Sequence, residues 1–167
     1  KGKNKTLGYA GMVCKNEENL ERYKERYKEF LKINKCEIND FVSELYQSGS
    51  FAIQDPDNNM ICFGILKKEN DFFIKGFHAP LQHLTFTSKD VEKFQNFYQK
   101  KLGFHITDRV VKSTGELATC FTTSNHEHHT IACFKSSQNG MDHHSYETGE
   151  WNNIKIWCDH FAQNNVK

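Results

Sequence analysis

The sequence predicts an α+β fold built from repeated βαβββ modules. Two observations carry this prediction: the order of strand and helix patterns restarts along the chain, and short strands separated by turn-forming residues follow each helix. The chain has 167 residues, of which 13% are aromatic, including 14 Phe. Because large rings bury much apolar area each, a chain of this length has the material for a hydrophobic core.

The first module is predicted from a strand at 7–13, a helix at 18–32 with an apolar stripe, and two strands at 50–54 and 60–66. The two strands are joined by Asp-Pro-Asp-Asn-Asn at 55–59. Pro fixes φ and Asp and Asn bond their own backbone, so this stretch favours a turn. We interpret it as structural.

The second module restarts with a strand at 81–87 and a helix with an apolar stripe every three to four residues. Ser88 is the predicted N-cap and Gly103 the predicted end of that helix. Strands at 104–110, 117–123 and 128–134 follow, and a third module opens with a strand at 141–148 and a helix-like stretch. The stripe consists of Val91, Phe94, Tyr98 and Leu102, and we expect Tyr98 to pack in the core.

These patterns divide the chain into an N-terminal module without metal ligands at 1–69, a linker at 70–80, and a second domain at 81–167. The second domain holds one full module and the start of the next. Because the sequence does not open with Met, we expect it to be a fragment.

Composition narrows the possible partners. The net charge is +1, from 22 basic and 21 acidic residues. So small a charge produces no long-range electrostatic field that would attract nucleic acid or a membrane surface. No apolar run approaches the length of a membrane span. The 6 cysteines are widely spaced and are expected to be free thiols rather than disulfides. We therefore expect a cytoplasmic protein with no nucleic-acid and no membrane partner.

Histidines recur at equivalent positions of the repeat, among 9 in the chain. His83 lies in the opening strand of the second module, and His143 and His144 lie in the opening strand of the third. Neutral imidazole is a good ligand for divalent iron, manganese or zinc. Strand alternation sends the two residues of a doublet to opposite faces, so only one can bind beside His83. The alternative to metal binding is that each histidine is an ordinary polar residue whose ring nitrogens are hydrogen-bonded.

The residues that carry a family resemblance are the runs LQHLTFTSKDVEKFQNFYQKKLGFHITDRV, NHEHHTIACF and NGMDHHSYETGEWNNI. In this order they resemble the metal-binding domain of the vicinal oxygen chelate superfamily, in particular the type I extradiol ring-cleaving dioxygenases of the catechol 2,3-dioxygenase kind. The run SFAIQDPDNNMICFG is similar to the last hairpin of the preceding, non-metal module.

The resemblance implies antiparallel-rich, curved sheets and an Fe(II) site, with Mn(II) as the other possible metal. By position it makes His83 and His144 the two histidine ligands and His129 the acid and base beside the metal. In the family the third ligand is a glutamate from the last strand of the final module, which would lie outside this chain. The implied substrates are a catechol-type diol and O2, and a homo-oligomer is possible.

Two other functions of the superfamily stay open. A lyase or isomerase of the glyoxalase kind would place a carboxylate late in each module, where this chain has His128 and His129. A non-catalytic small-molecule-binding protein of the drug-resistance kind would lack the metal histidines. In a metal analysis, iron or manganese would favour the dioxygenase, and absence of metal would favour the binding protein.

Overall fold

Two β-sheets and three helices form the part of the chain that the computed structural model describes, residues 7–34, 39–40, 44–67 and 79–166. The order of elements is β-α-β-β-β twice, followed by one further strand and helix. The predicted α+β fold with repeated βαβββ modules is therefore confirmed.

The first sheet has the strand order β1-β4-β3-β2. Its elements are β1 (Ala10–Val13), α1 (Glu17–Asn34), β2 (Asn39–Asp40), β3 (Phe51–Gln54) and β4 (Met60–Gly64). β1 runs parallel to β4, and β3 is antiparallel to β2 and to β4. The first module thus closes on itself, because the strand before the helix pairs with the last strand after it.

The turn between β3 and β4 is structural, as predicted. One oxygen of the Asp55 carboxylate accepts the backbone N–H groups of Asp57 and Asn59, each at 2.9 Å. The other oxygen accepts the Asn59 side-chain amide at 2.9 Å. This is the local bonding that makes Asp a turn former.

The second sheet has the strand order β6-β7-β8-β5-β9. Its elements are β5 (Leu81–Ser88), α2 (Val91–Asn96), β6 (His105–Val111), β7 (Leu117–Thr123), β8 (Ile131–Lys135), β9 (Gly140–Tyr146) and α3 (Trp151–Gln163). β5 lies between β8 and β9. It runs parallel to β8 and antiparallel to β9.

The helix of the second module continues beyond α2 as a π-helix at Phe97–Leu102. Gly103 ends it with φ 78°, in the left-handed region that favours glycine. The predicted N-cap is wrong: the cap is Asp90, whose carboxylate accepts the backbone N–H of Lys93 at 2.9 Å. β5 extends to Ser88, so the helix begins later than its predicted cap would allow.

Both modules contribute to one hydrophobic core. Tyr27, Phe51 and Phe63 of the first module belong to the same buried cluster as Phe86 and Phe94 of the second. Among the described residues, the five largest fully buried side chains are aromatic: Tyr27, Tyr98, Phe51, Phe86 and Phe94. Large rings of this kind give a polar sequence its core.

Tyr98 joins the two modules. Its side chain is fully buried, and its hydroxyl donates to the second carboxylate oxygen of Asp55 at 3.2 Å. The predicted core position of Tyr98 is confirmed.

The helices of the second sheet differ in how they are covered. α2 buries Val91 and Phe94, whereas no described residue of α3 is buried and Trp151 is 81% exposed.

No helix among the described residues is long and apolar enough to cross a membrane. Five cysteines in the described part of the chain are free thiols, as expected, and Cys36 lies outside it.

The strands of the first sheet all precede residue 65 and those of the second all follow residue 80. Of the predicted linker at 70–80, residues 70–78 lie outside the described residues. The boundaries 1–69, 70–80 and 81–167 stay predictions.

Candidate metal centre

The two faces of β5 have different roles. Leu84 and Phe86 are buried in the core, and strand alternation turns His83 and Thr85 to the opposite face. On the neighbouring strand β9, His143 lies opposite Thr85 and His144 lies opposite Leu84. Cross-strand partners share a face of the sheet, so the register puts His143 on the face of His83.

The contacts agree with the register. Nε2 of His83 lies 3.2 Å from Nε2 of His143, and the two ring centroids are 5.3 Å apart. The Thr85 hydroxyl lies 3.1 Å from the same His143 nitrogen. The ring of His144 instead lies 5.2 Å from that of Tyr146. The predicted convergence of His83 with His144 is therefore wrong, and His143 takes that place. The rule that only one residue of the doublet faces His83 holds.

The other nitrogen of each ring is held by the residue just before it. Nδ1 of His143 lies 2.7 Å from a carboxylate oxygen of Asp142, and Nδ1 of His83 contacts the Gln82 side-chain oxygen. The Gln82 amide nitrogen donates to Glu127 at 3.4 Å and to the His129 carbonyl at 3.3 Å. Both are acceptors only, so the Gln82 oxygen must be the atom that faces His83.

This bonding fixes the tautomer of both rings. A carboxylate and an amide oxygen only accept, so each Nδ1 carries its hydrogen, and in a neutral ring Nε2 is then unprotonated. The two Nε2 atoms lie 3.2 Å apart, and a neutral ring of this tautomer leaves its Nε2 lone pair available to a metal. Metal-binding histidines in proteins are held in this way, with the far N–H given to a carboxylate or carbonyl.

The spacing also suits a shared ion. With metal–nitrogen distances of about 2.1 Å, two ligands at right angles have their nitrogens about 3 Å apart. The donor set of two imidazoles fits a divalent transition metal. Among the described residues, no group of three or more His, Cys, Asp or Glu side chains is arranged to hold a metal.

Two carboxylates considered as a third ligand are already engaged. Glu127 accepts from Gln82 and lies 3.2 Å from Nε2 of His126. Glu116 pairs with Lys112 and Lys135 on the surface. The part of the chain that the structure describes therefore offers two imidazole ligands and no carboxylate third.

His129 lies beside the pair. Its ring centroid is 4.5 Å from that of His83 and 5.2 Å from that of Phe121. We expected His128 and His129 within the closing strand, but β8 begins at Ile131, so both lie in the preceding loop. Nδ1 of His128 lies 3.0 Å from Nδ1 of His129, and strand alternation does not separate them.

Burial and neighbouring imidazoles keep two of these rings neutral. Burial, followed by the charge of His143, lowers the pKa of His83 below its usual value. Burial also lowers the pKa of His129, with smaller contributions from the other histidines that outweigh the opposite effect of Glu127. A neutral imidazole is the form that binds metal or accepts a proton.

Sequence reasoning missed Gln82, Asp142 and Thr85. A signal was available: Gln82-His83 and Asp142-His143 place an acceptor directly before a histidine at equivalent positions of the repeat. The aromatic residue three positions later also aligns His143 with His83, because Phe86 and Tyr146 then correspond.

Comparisons with known proteins give the family and the fold. The model of the Glyoxalase/Bleomycin resistance protein/Dioxygenase superfamily matches residues 81–167, just over half of the chain. No curated protein matches the sequence.

Solved structures match the fold at low identity. A Y257F variant of homoprotocatechuate 2,3-dioxygenase from B. fuscum matches with a TM-score of 0.71 and 18% identity, over 94% of this chain and 45% of that one. The 2,3-dioxygenase LapB from Pseudomonas sp. KL28 gives 0.75 and 16%, over 96% and 60%. A Mn(II)-bound glyoxalase from Novosphingobium aromaticivorans gives 0.69 and 15%, over 92% and 50%.

The chain thus spans between 45% and 60% of the length of these three structures. The match to the family model covers β5 to α3, the elements that carry the paired histidines. Together with the repeated modules, it shows that the chain belongs to the Glyoxalase/Bleomycin resistance protein/Dioxygenase superfamily.

Proposed function

We propose that His83 and His143 hold a divalent ion, Fe(II) or Mn(II), at the site of an extradiol dioxygenase. The substrates are a catechol-type diol and O2, and the third ligand is the glutamate that the family resemblance places outside this chain. The observation that carries the proposal is the pair of facing Nε2 atoms, 3.2 Å apart. Each ring is fixed from behind, by Gln82 or Asp142.

A bound divalent ion would lower the pKa of a coordinated hydroxyl and hold both reactants close together. The chain's own residues do the rest. Gln82 and Asp142 keep the two imidazoles oriented. His129, neutral and beside His83, accepts a proton from the diol and later returns it, as a general base and acid.

Among the solved structures, the likeness to two dioxygenases supports this proposal, and the likeness to a Mn(II)-bound glyoxalase supports the second candidate, a lyase or isomerase. His129 favours the dioxygenase. The residue beside His83 at this position is an imidazole, whereas a glyoxalase-type enzyme would have a carboxylate there. Both candidates need the same two histidine ligands, so metal binding is tested first.

The first experiment measures Mn(II) affinity by calorimetry for the unaltered chain and for His83→Ala, His143→Ala and His144→Ala. We expect the first two variants to bind more weakly by well over tenfold, since loss of an outer-shell partner alone costs about 10- to 100-fold. His144→Ala is the matched control and should bind like the unaltered chain. Equal affinity in all four proteins, or a larger loss in His144→Ala, would contradict the assignment.

The second experiment tests His129 with the iron-loaded protein. His129→Gln removes the proton acceptor but keeps a polar side chain, so iron content should stay unchanged. Oxygen consumption with catechol should fall by about 100- to 10,000-fold, the usual contribution of general acid–base catalysis. Unchanged oxygen consumption would refute the role, and a product of isomerisation without oxygen uptake would favour the glyoxalase candidate.

A further inference from the structure

Each of the paired histidines has a hydroxyl residue of the other strand directly opposite it. In the register of β5 with β9, His83 lies opposite Ser145 and His143 lies opposite Thr85. Because registered partners share a face of the sheet, both hydroxyl residues lie on the face of the paired histidines. Thr85 contacts its histidine at Nε2, the nitrogen that the proposed function assigns to the metal.

The Thr85 hydroxyl is held firmly at this nitrogen. Its oxygen lies 3.1 Å from Nε2 of His143, and the residue is only 1% exposed. Leu84 and Phe86, the residues on either side, are buried in the core, and the branched Cβ of Thr restricts the side chain to few rotamers. The hydroxyl therefore has little freedom to turn to another partner.

The hydroxyl is the donor in this hydrogen bond. Nδ1 of His143 lies 2.7 Å from a carboxylate oxygen of Asp142, which only accepts, so Nδ1 carries the ring hydrogen. In the neutral ring, Nε2 then has a lone pair and no hydrogen. The Thr85 O–H donates to that lone pair.

The same lone pair is needed for the metal. A single lone pair on Nε2 cannot accept a hydrogen bond and bind an ion at the same time, so the Thr85 bond must break when His143 becomes a ligand. A hydroxyl as buried as that of Thr85 loses stabilisation when it is left without an acceptor. Metal binding therefore has to overcome the free energy of this hydrogen bond.

We infer that Thr85 is a positioning residue that occupies the His143 lone pair in the metal-free chain and thereby lowers its metal affinity. The inference rests on the proposed function and deepens it, because it concerns control of the same site. Thr85 on Nε2 and Asp142 on Nδ1 together hold the His143 ring in one orientation. The ring is thus held by its two ends until an ion replaces the hydroxyl.

The first test measures Mn(II) affinity by calorimetry at about pH 8, where an ordinary imidazole is neutral. Thr85→Val keeps the shape of the side chain and removes the hydroxyl, so we expect binding to become about 2- to 10-fold tighter, the usual effect of one neutral hydrogen bond. Thr85→Ser restores the hydroxyl and should bind like the unaltered chain.

Thr87→Val is the matched control. Thr87 lies two residues further along β5, on the same face as Thr85, but its hydroxyl donates to the Gly140 carbonyl at 3.4 Å. Its removal should leave Mn(II) affinity unchanged. Equal or weaker binding by Thr85→Val, or an equal gain in Thr87→Val, would overturn this inference and leave the proposed function intact. Absence of Mn(II) binding by the unaltered chain would overturn both.

The second test needs no metal. The ¹⁵N resonance of His143 Nε2 reports directly on the hydrogen bond that this nitrogen accepts. In the metal-free chain we expect the resonance to move to higher frequency in Thr85→Val, because the donor is lost, and to stay in place in Thr85→Ser and Thr87→Val. A resonance that does not move in Thr85→Val would show that the hydroxyl does not occupy the lone pair, whatever the outcome with Mn(II).

Discussion

At the scale of single residues, the side chain before each facing histidine determines what that histidine presents. Gln82 accepts the Nδ1 hydrogen of His83 and is itself anchored on Glu127 and the His129 carbonyl. It therefore links the orientation of His83 to the loop that carries His129. Asp142 holds His143, with no comparable anchor among the residues that the structure describes.

Replacing Gln82 tests this link. Gln82→Met keeps the length and shape of the side chain but removes the acceptor, so His83 loses its fixed tautomer. We expect Mn(II) affinity to fall by roughly 10- to 100-fold, with the far-ultraviolet circular dichroism unchanged. Gln138→Met, at an exposed position after β8, serves as control. Full retention of affinity in Gln82→Met would show that the contact does not orient the ligand.

At the scale of elements, the residue that caps the helix of the second module depends on where the preceding strand ends. Ser88 and Asp90 both favour helix starts by residue type, but Ser88 still belongs to β5. Its hydroxyl accepts the Asp90 backbone N–H at 2.9 Å. Asp90 is then free to accept from Lys93, in the first turn, where a negative charge also suits the helix dipole.

We predict that Asp90→Ala lowers the free energy of unfolding by about 1 kcal/mol, the usual effect of losing an N-cap. Asp90→Asn should retain most of the stability, because the amide oxygen can accept the same hydrogen bond. Urea unfolding measures both. Glu92→Ala removes a carboxylate two residues later without removing a cap, and a loss as large as that of Asp90→Ala would argue against the capping role.

At the scale of the whole molecule, a buried hydrogen bond between Tyr98 and Asp55 helps to join the two modules. Tyr98 of the π-helix donates to Asp55 of the β3–β4 turn at 3.2 Å, within the core shared by both modules. Burial raises the pKa of Tyr98 well above its usual value, so the phenol remains a donor. The turn that organises the first module is thereby tied to the helix that packs against the second sheet.

Tyr98→Phe should lower the free energy of unfolding by about 1–3 kcal/mol, because it removes a donor from a buried carboxylate and leaves the ring in place. Urea unfolding measures the loss. Tyr23→Phe, on a ring that is 37% exposed, is the control. A loss no larger than that of the control would show that the bond contributes nothing to holding the modules together.

The same carboxylate gives a pH prediction. Burial raises the pKa of Asp55 above its usual value of 3.8, although hydrogen bonds from Asn59 and Asp57 act in the opposite direction. Between 3.8 and the raised pKa, the folded state keeps a proton that the unfolded chain has released. The free energy of unfolding contributed by Asp55 therefore falls as pH rises through this window.

Unfolding in urea at several pH values from about 3.5 to 7, for the unaltered chain and for Asp55→Asn, measures this contribution. We expect the difference between the two proteins to change across the window and to be constant above it. Asp159→Asn, which replaces an exposed carboxylate on α3, is the control. Parallel curves for Asp55→Asn would contradict the raised pKa.

The elements and their order were predictable from the sequence, because the signals are local. The stripe through Val91, Phe94 and Tyr98, the turn at 55–59 and the left-handed Gly103 depend on a few neighbouring residues. The alternation of a strand also determined that only one residue of the histidine doublet could face His83.

Which histidine does so was decided by the pairing of β9 with β5, which strand alternation by itself does not give. The face of each β9 residue depends on its register with β5, which shifts twice, between Leu81 and His83 and between Thr85 and Phe86. A shift of one residue exchanges the two faces of a strand, so local alternation left His143 and His144 equivalent.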